Sequence, residues 1–248
     1  MENTDKVKGV ADIVFLMDAT GSMGNCIQRL KDNVMVFFRS LTEKTAGANS
    51  VVPIKDWRAK VVGFRDYEED GAADWLVDNS FTRDVGELQR QLDALVATGG
   101  GDAPESLLDA IYAVASMPKS GKAMEDPAMW RHRNDAARAV IVFTDAPYKP
   151  TMRAPGCAGG TFNDVKNICV QERILLSVVA PKDPPGRNFG YDECFEYIDG
   201  IRYAKWLDVE PGTTGESPID EFMNDTSALQ EIIRTIAKTV TQRASEEL

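Results

Sequence analysis

The sequence predicts an α/β domain of three layers, in which helices cover both faces of a doubly wound, mostly parallel β-sheet with one antiparallel edge strand. First, apolar runs of strand length alternate with helical patterns along the chain, as expected for strands joined by helical crossovers. Second, the apolar core of ARAVIVFTDAP is typical of a strand buried on both faces of a parallel sheet. Third, two early strands follow each other without an intervening helix, which predicts an antiparallel hairpin.

The predicted elements begin with a β-α unit. Residues 13–17 have the length and apolarity of a strand, and the apolar side chains from Ile27 to Leu41 fall on one face of a helix. Residues 58–64 and 75–81 form the predicted hairpin, joined by the acidic link RDYEEDGAAD. We interpret the acidic run Glu68–Asp70 within this link as a solvated turn, with a rim that faces a partner as the alternative. The later predicted helices are at 85–96, 104–115 with Pro104 in its first turn, 162–173, 191–197 and 227–243. The later predicted strands lie within ARAVIVFTDAP, at 174–181 and at 201–207.

Length and composition predict one folded domain. The chain has 248 residues, 43% of them hydrophobic and 27% charged, which is ordinary for a globular protein and sufficient for a full core. We place a single domain at residues 9–243, with a flexible N-terminus at 1–8 and a flexible tail at 244–248. The loops around 121–134 and 150–160 are also predicted to be loosely held.

The charge of the chain limits its partners. The formal net charge of -11, without a Lys/Arg cluster, opposes binding to phosphate backbones and favours metal cations or basic protein surfaces. The N-terminus lacks the pattern of a signal peptide, and no run is long enough to cross a bilayer. We therefore expect a cytoplasmic protein that binds neither nucleic acid nor membrane.

The cysteines indicate no disulfide framework and no zinc site. Cys26, Cys157, Cys169 and Cys194 show no C-x-x-C pair and no repeated spacing. The chain has one histidine, so a zinc site would require most of the cysteines together. We predict ordinary reduced thiols.

Three loops at the carboxyl edge of the predicted sheet are rich in oxygen ligands, and ligands of such sheets bind at that edge. They read DATGS, TGGGDAPES and TDAP. Asp18, Thr20 and Ser22 alternate in the first loop, so an extended turn can direct all three side chains one way. Together with Asp102 and Asp145 they form a hard-oxygen set suited to Mg²⁺ or Mn²⁺.

The stretches FLMDATGSM, TGGGDAPES and VIVFTDAP resemble the three parts of the metal-ion-dependent adhesion site (MIDAS) of von Willebrand factor A domains. The resemblance implies that Thr20 and Ser22 bind the metal through their hydroxyls, and that Asp18 and Asp145 act directly or through water. Adhesion receptors place a threonine where this chain has Asp102, a form associated with intracellular and bacterial relatives. Thr98 is the alternative oxygen donor in this loop.

The resemblance also implies a function in protein recognition. It implies that intracellular and bacterial members act as adaptors, including in stress and defence systems. Ligands of the family often complete the metal shell with their own carboxylate. We therefore predict a metal-dependent adaptor domain without enzymatic activity. The additional carboxylate of Asp102 reduces the attraction of the metal for an incoming acid.

Several other interpretations compete with a metal site. A serine hydrolase would use Ser22 as nucleophile, Asp145 as orienting acid and His132 as base, but its nucleophile turn requires glycine where Thr20 stands. An extracellular adhesion module would require a leader that has been removed. Nucleotide binding lacks a phosphate-binding motif. Taken singly, Ser22 is explained as a helix cap and Asp145 as a turn residue.

Overall fold

The structure is a computed structural model that describes residues 9–42, 53–100, 104–181, 205–209 and 224–245, with backbone only for 205–209. Its described strands form one six-stranded sheet of order β3-β2-β1-β4-β5-β6, parallel except for the antiparallel edge strand β3. This confirms the predicted fold class. The strands are β1 Val10–Asp18, β2 Asp56–Phe64, β3 Leu76–Asp78, β4 Ala137–Phe143, β5 Ile174–Pro181 and β6 Lys205–Val209.

Helices cover both faces of the sheet. The described helices are α1 Gly24–Thr42, α2 Tyr67–Asp70, α3 Val85–Ala94, α4 Leu107–Ala115, α5 Phe162–Glu172 and α6 Thr226–Ser245. Side chains of β1 alternate between two hydrophobic cores, because successive residues of a strand point to opposite faces. Ile13 and Phe15 pack with α1, α3 and α6, whereas Val14 and Leu16 pack with α4 and α5. None of the described helices is long and apolar enough to cross a membrane.

The strand register places the three oxygen-rich loops at one edge. In β1, Asp18 pairs with Phe64 of β2, and Met17 pairs with Phe143 of β4. The residues that follow these strands therefore leave the sheet side by side. This edge is formed by the carboxyl ends of parallel strands, where open α/β sheets bind their ligands.

Several element boundaries differ from the prediction. The strand predicted at 75–81 is reduced to Leu76–Asp78, and α3 ends at Ala94 rather than at 96. Helix α4 begins at Leu107 after Ser106, so Pro104 precedes the helix and is not in its first turn. Helix α6 continues to Ser245, two residues beyond its predicted end. The predicted helix at 191–197, residues 201–204 of the predicted last strand, and the termini 1–8 and 246–248 lie outside the described residues.

The two loops predicted to be loosely held are anchored instead. Trp130 is fully buried, and its indole nitrogen donates to the Val114 carbonyl over 2.9 Å. Met152 is also fully buried, and its backbone nitrogen donates to the Gly160 carbonyl over 2.8 Å. The prediction was wrong because a single large buried side chain in each loop fixes it to the core.

A buried ionic network closes the amino-terminal edge of the sheet. The carboxylate of Asp12, fully buried on β1, accepts hydrogen bonds from the guanidinium of Arg58 at 2.9 and 2.8 Å. Arg131 donates to the same carboxylate from its backbone nitrogen and its side chain, both over 2.7 Å. The loop that carries Arg131 is thereby fixed beneath β1, at the edge opposite the oxygen-rich loops.

Candidate metal centre

The first loop is organised around the buried carboxylate of Asp18. Thr20 donates to Asp18 Oδ1 from its backbone nitrogen over 3.0 Å and from its hydroxyl over 2.6 Å, while the Thr144 hydroxyl donates to Oδ2 over 2.8 Å. Thr20 occupies the N-cap position of a short 3-10 turn, Gly21–Met23, and Ser22 lies exposed within that turn. Ser22 is therefore not the residue before the helix, and Thr144, which the sequence analysis did not single out, holds the third loop against the first.

The second loop is bonded to the first through its backbone. The Thr98 nitrogen donates to the Ala19 carbonyl over 3.0 Å, and the Gly21 nitrogen donates to the Gly99 carbonyl over 3.4 Å. Buried Arg65 donates to carbonyls on both sides of this junction, at Ala19 over 3.3 Å and at Val96 over 2.8 Å. Thr98 is exposed, and Asp102 lies outside the described residues.

Gly100 has to be glycine for this junction to close. Its φ of +71° lies in the region that other residues avoid, and a Cβ there would stand 2.8 Å from Cγ2 of Thr20 and 2.9 Å from Oε1 of Glu105. The side chains of Thr20 and Glu105 therefore border the same point beside Gly100. Glu105 is a site residue that the sequence analysis missed.

Glu105 connects the second and third loops. Its backbone nitrogen donates to the Pro147 carbonyl, and its carbonyl accepts from the Lys149 nitrogen, both over 2.9 Å. Its side chain is only 4% exposed, and Oε2 has no hydrogen-bond partner among the described residues. Burial and the charges of Asp18, Asp66, Asp70 and Asp145 raise the pKa of Glu105 to about 8. The only sequence signal was its position within the motif DAPES.

The carboxylates at this edge repel one another. Burial and the charge of half-buried Asp145 raise the pKa of Asp18 to about 6, although its hydrogen bonds from Thr20 and Thr144 oppose this rise. Nearby, Asp70 accepts from the Gly100 nitrogen over 3.2 Å, and Lys149 Nζ lies 2.8 and 2.6 Å from the two carboxylate oxygens of Asp66. The edge is therefore an acidic site in which a further positive charge would be stabilised.

The donor set fits a hard cation. Among the described residues, no three His, Cys, Asp or Glu side chains form a group that could hold a metal by themselves. The Thr20 hydroxyl instead lies beside the Asp18 carboxylate, Ser22 is exposed in the turn that follows, and Glu105 Oε2 is a buried oxygen without a donor among the described residues. Mixed carboxylate and hydroxyl oxygens suit Mg²⁺ or Mn²⁺ better than zinc.

The arrangement is incompatible with the serine hydrolase. His132 precedes β4, whereas Asp145 follows its carboxyl end, and a strand of this length separates its two ends by about 20 Å. Ser22, His132 and Asp145 are therefore not brought together. Nδ1 of His132 accepts from the Asn134 nitrogen over 3.3 Å, within its own loop.

The described cysteines are thiols outside any disulfide, as predicted. Cys26 and Cys169 are buried and Cys157 is half-buried, while Cys194 lies outside the described residues. Burial raises the pKa of both Cys157 and Cys169 to about 12, with a further contribution from Asp109 at Cys157. Both thiols therefore stay protonated and unreactive at neutral pH.

Similar structures support the fold. The pilus adhesin SpaC of Lactobacillus rhamnosus GG matches 96% of this chain with 11% identity and a TM-score of 0.55. The human COPII-coat protein Sec24c matches 94% with 13% identity and a TM-score of 0.53. Proximal thread matrix protein 1 of the mussel byssus, whose MIDAS motif is occupied by zinc, matches 93% with 15% identity and a TM-score of 0.51.

The comparisons also show how much of each similar protein this chain spans and to which family it belongs. This chain spans 31%, 33% and 46% of SpaC, Sec24c and the mussel protein, respectively. No curated protein sequence gives a significant match. The sequence profile described as Mediator complex subunit 25 von Willebrand factor type A matches residues 7–188, which is most of the chain. The chain therefore belongs to this family of von Willebrand factor A domains.

Proposed function

We propose that this domain recognises another protein through the carboxyl edge of its sheet, with Mg²⁺ or Mn²⁺ bound there. One observation carries the proposal: Asp18 and Glu105 are buried at this edge, and each has its pKa raised by burial and by neighbouring carboxylates. Mutual repulsion of this kind is relieved when a divalent cation binds between the acids.

The ligands that we propose come from all three loops. Asp18, Thr20 and Ser22 act from the first loop, Asp145 acts from the third, and Asp102 acts from the second with Thr98 as its alternative. The cation, when bound, supplies positive charge and open coordination positions that a partner's oxygen can enter. Glycine at position 100 allows the second loop to approach Thr20 closely enough for a shared site.

Recognition of a protein, rather than catalysis, agrees with the surface around the proposed site. Val96 is 61% exposed, and Ser22 and Thr98 are also exposed, so apolar and polar groups are available next to the cation. No described histidine or cysteine lies among the groups that act on Asp18 or Glu105, which are carboxyl groups, the hydroxyls of Thr20 and Thr144, and the backbone of Thr20. The membership of stress or defence systems stays a prediction.

Addition of Mg²⁺ is expected to raise the melting temperature. A cation at ten times its dissociation constant stabilises the folded state by about 1.4 kcal/mol, which corresponds to an increase of about 3 to 6 °C for a domain of this size. Ser22→Ala should remove most of this increase, because it removes a proposed ligand of the cation. The fold should be kept, because Ser22 is exposed within the first loop and its side chain makes no described hydrogen bond. Differential scanning fluorimetry with Mg²⁺ and with chelator measures both effects.

Ser80→Ala is the matched control for Ser22→Ala. Ser80 is also exposed, but it follows antiparallel β3 and so lies toward the opposite edge of the sheet. This variant should keep the full response to Mg²⁺. Equal melting temperatures of the native protein with Mg²⁺ and with chelator would contradict the metal site, and a full response in Ser22→Ala would remove Ser22 from the ligands.

Partner binding is expected to depend on the cation. Affinity capture from the native cell should retain a specific protein on the native domain in Mg²⁺ and release it in chelator. Ser22→Ala should fail to retain that protein, whereas Ser80→Ala should retain it. A partner held equally by all three domains in chelator would place recognition on another surface.

A further inference from the structure

We propose that Arg65 is a positioning residue that makes the proposed cation site selective for a small ion, because it holds the first and second loops at a fixed separation. This inference rests on the proposed function, since it requires a cation at the carboxyl edge. It deepens that function by identifying what sets the size of the cation, through a residue that does not itself bind it.

Arg65 directly follows the last residue of β2 and is only 9% exposed. Its side chain donates to three main-chain carbonyls, each from a different nitrogen. Nε donates to Ala19 over 3.3 Å, Nη1 to Asp74 over 2.8 Å and Nη2 to Val96 over 2.8 Å. These carbonyls belong to the first loop, to the segment between α2 and β3, and to the segment that leads into the second loop. One planar guanidinium group therefore joins three segments that are distant in sequence.

The first loop is held on both sides of its bond to Arg65. The Ala19 nitrogen donates to the Phe64 carbonyl over 2.8 Å, and the Ala19 carbonyl accepts from the Thr98 nitrogen over 3.0 Å as well as from Arg65. Ala19 stands between Asp18 and Thr20, two of the proposed ligands. The bonds that fix Ala19 therefore also fix the backbone from which both of these side chains extend.

The second loop is held against the same end of β2. Leu95 is buried and packs on Gly63, where a Cβ would stand only 2.6 Å from Cδ2 of Leu95. The bond from Arg65 to the Val96 carbonyl comes next along the chain, and the bond from Thr98 to Ala19 follows. Arg65 thus contacts the backbone of the first loop and the start of the second, and its length and shape set how far apart they lie.

A fixed separation of the loops favours a small cation. Mg²⁺ holds its oxygen ligands at about 2.0–2.1 Å with near-ideal octahedral geometry, whereas Ca²⁺ takes its ligands at about 2.3–2.6 Å in a more flexible arrangement. Loops that cannot move apart disfavour the larger ion, because selectivity between the two depends on the size and flexibility of the site. Loss of the bonds from Arg65 should therefore weaken the binding of Mg²⁺ more than the binding of Ca²⁺.

Arg65→Lys tests this role, because lysine keeps the positive charge but carries its donors on a single nitrogen, which cannot bond all three carbonyls. Mg²⁺ and Ca²⁺ are each titrated alone into the whole chain by calorimetry. We expect the affinity for Mg²⁺ to fall about tenfold and the affinity for Ca²⁺ to fall less than about threefold. The ratio of the two affinities should thus shift toward Ca²⁺.

Arg58→Lys is the matched control for Arg65→Lys. Arg58 lies on β2, is 2% exposed and donates to the Asp126 and Met129 carbonyls, but it belongs to the amino-terminal edge. This variant should lose stability in urea denaturation, because it disturbs a buried ionic network. It should nevertheless keep the native ratio of Mg²⁺ to Ca²⁺ affinity.

The outcomes separate this inference from the proposed function. If the native protein binds Mg²⁺ but Arg65→Lys keeps the native ratio of affinities, Arg65 supports the fold alone and only the inference fails. A native preference for Ca²⁺, or an equal change of the ratio in Arg58→Lys, would overturn it as well. If the native protein binds neither Mg²⁺ nor Mn²⁺, the proposed function fails and the inference with it. Should Arg65→Lys not fold, Arg65→Gln buries no misplaced charge and still cannot bond all three carbonyls, and an unchanged ratio in that variant would contradict the inference.

Discussion

Asp12→Ala is expected to lower the free energy of unfolding by about 3 to 5 kcal/mol, because it leaves two buried guanidinium groups without their shared carboxylate. Arg58 and Arg131 are 2% and 3% exposed and both bond to Asp12. Arg131 also pairs with Asp56 on its other side, so the loss would extend along the amino-terminal edge. Urea denaturation in chelator measures the change.

An exposed ion pair provides the control for Asp12→Ala. Glu87 and Arg90 pair at 2.6 Å on α3, but their side chains are 41% and 65% exposed, and solvated pairs contribute less than about 1 kcal/mol. Glu87→Ala should therefore have a small effect. A loss of unfolding free energy below about 1 kcal/mol for Asp12→Ala would show that this buried network stabilises the fold no more than an exposed ion pair does.

The same variant tests whether the two edges act independently. Asp12 and Asp18 lie at opposite ends of β1, about 20 Å apart, and they share no hydrogen-bond partner among the described residues. Distant sites without shared partners behave additively. Folded Asp12→Ala protein should therefore keep the full increase in melting temperature on addition of Mg²⁺.

The fold could be predicted because its signals are local. Alternating apolar residues in β1 and the apolar run of β4 determine which faces are buried, and the burial of both strands agrees with them. The start of α4 was misplaced because Ser106 uses its hydroxyl to accept from the Tyr67 nitrogen over 2.9 Å. Such a contact between distant segments is not visible in the local pattern around Pro104.

The candidate site was predictable only in part, for a related reason. Asp18, Thr20 and Asp145 follow strands whose parallel order could be inferred, and their loops meet at one edge. The importance of Glu105 depends on burial and on the arrangement of four other acids around it. Composition alone cannot distinguish this buried acid from exposed neighbours such as Glu68 and Glu69.

Without metal, the protein is expected to lose stability as the pH rises from about 5 to about 8. The pKa of Asp18 rises from 3.8 to about 6 on folding, and that of Glu105 rises from 4.5 to about 8. The folded protein therefore keeps protons that the unfolded chain has already released. This contribution to stability is fully present below the unfolded pKa values and is lost as the pH passes through the folded ones.

Other shifted carboxyl groups do not obscure this effect. Hydrogen bonds and charges of nearby arginines lower the pKa of Asp56 and Glu125. Their contributions are present above the unfolded pKa values and are lost only as the pH falls through the lower folded values, below about pH 4. The decrease between about pH 5 and 8 should thus report the acids at the carboxyl edge.

Mg²⁺ should reverse this dependence, because the cation binds the ionised acids and releases their protons. Stabilisation by Mg²⁺ should therefore be small near pH 5 and largest near pH 8, where each unit of pKa rise is worth about 1.4 kcal/mol. Urea denaturation at several pH values, in chelator and in saturating Mg²⁺, measures both curves.

Glu105→Gln in chelator should lose the part of the decrease in stability above about pH 6, since Asp18 has already ionised there. Stability in chelator that stays level across this range would mean that the acids are too well solvated to repel one another, and the main argument for a cation at this edge would then be lost.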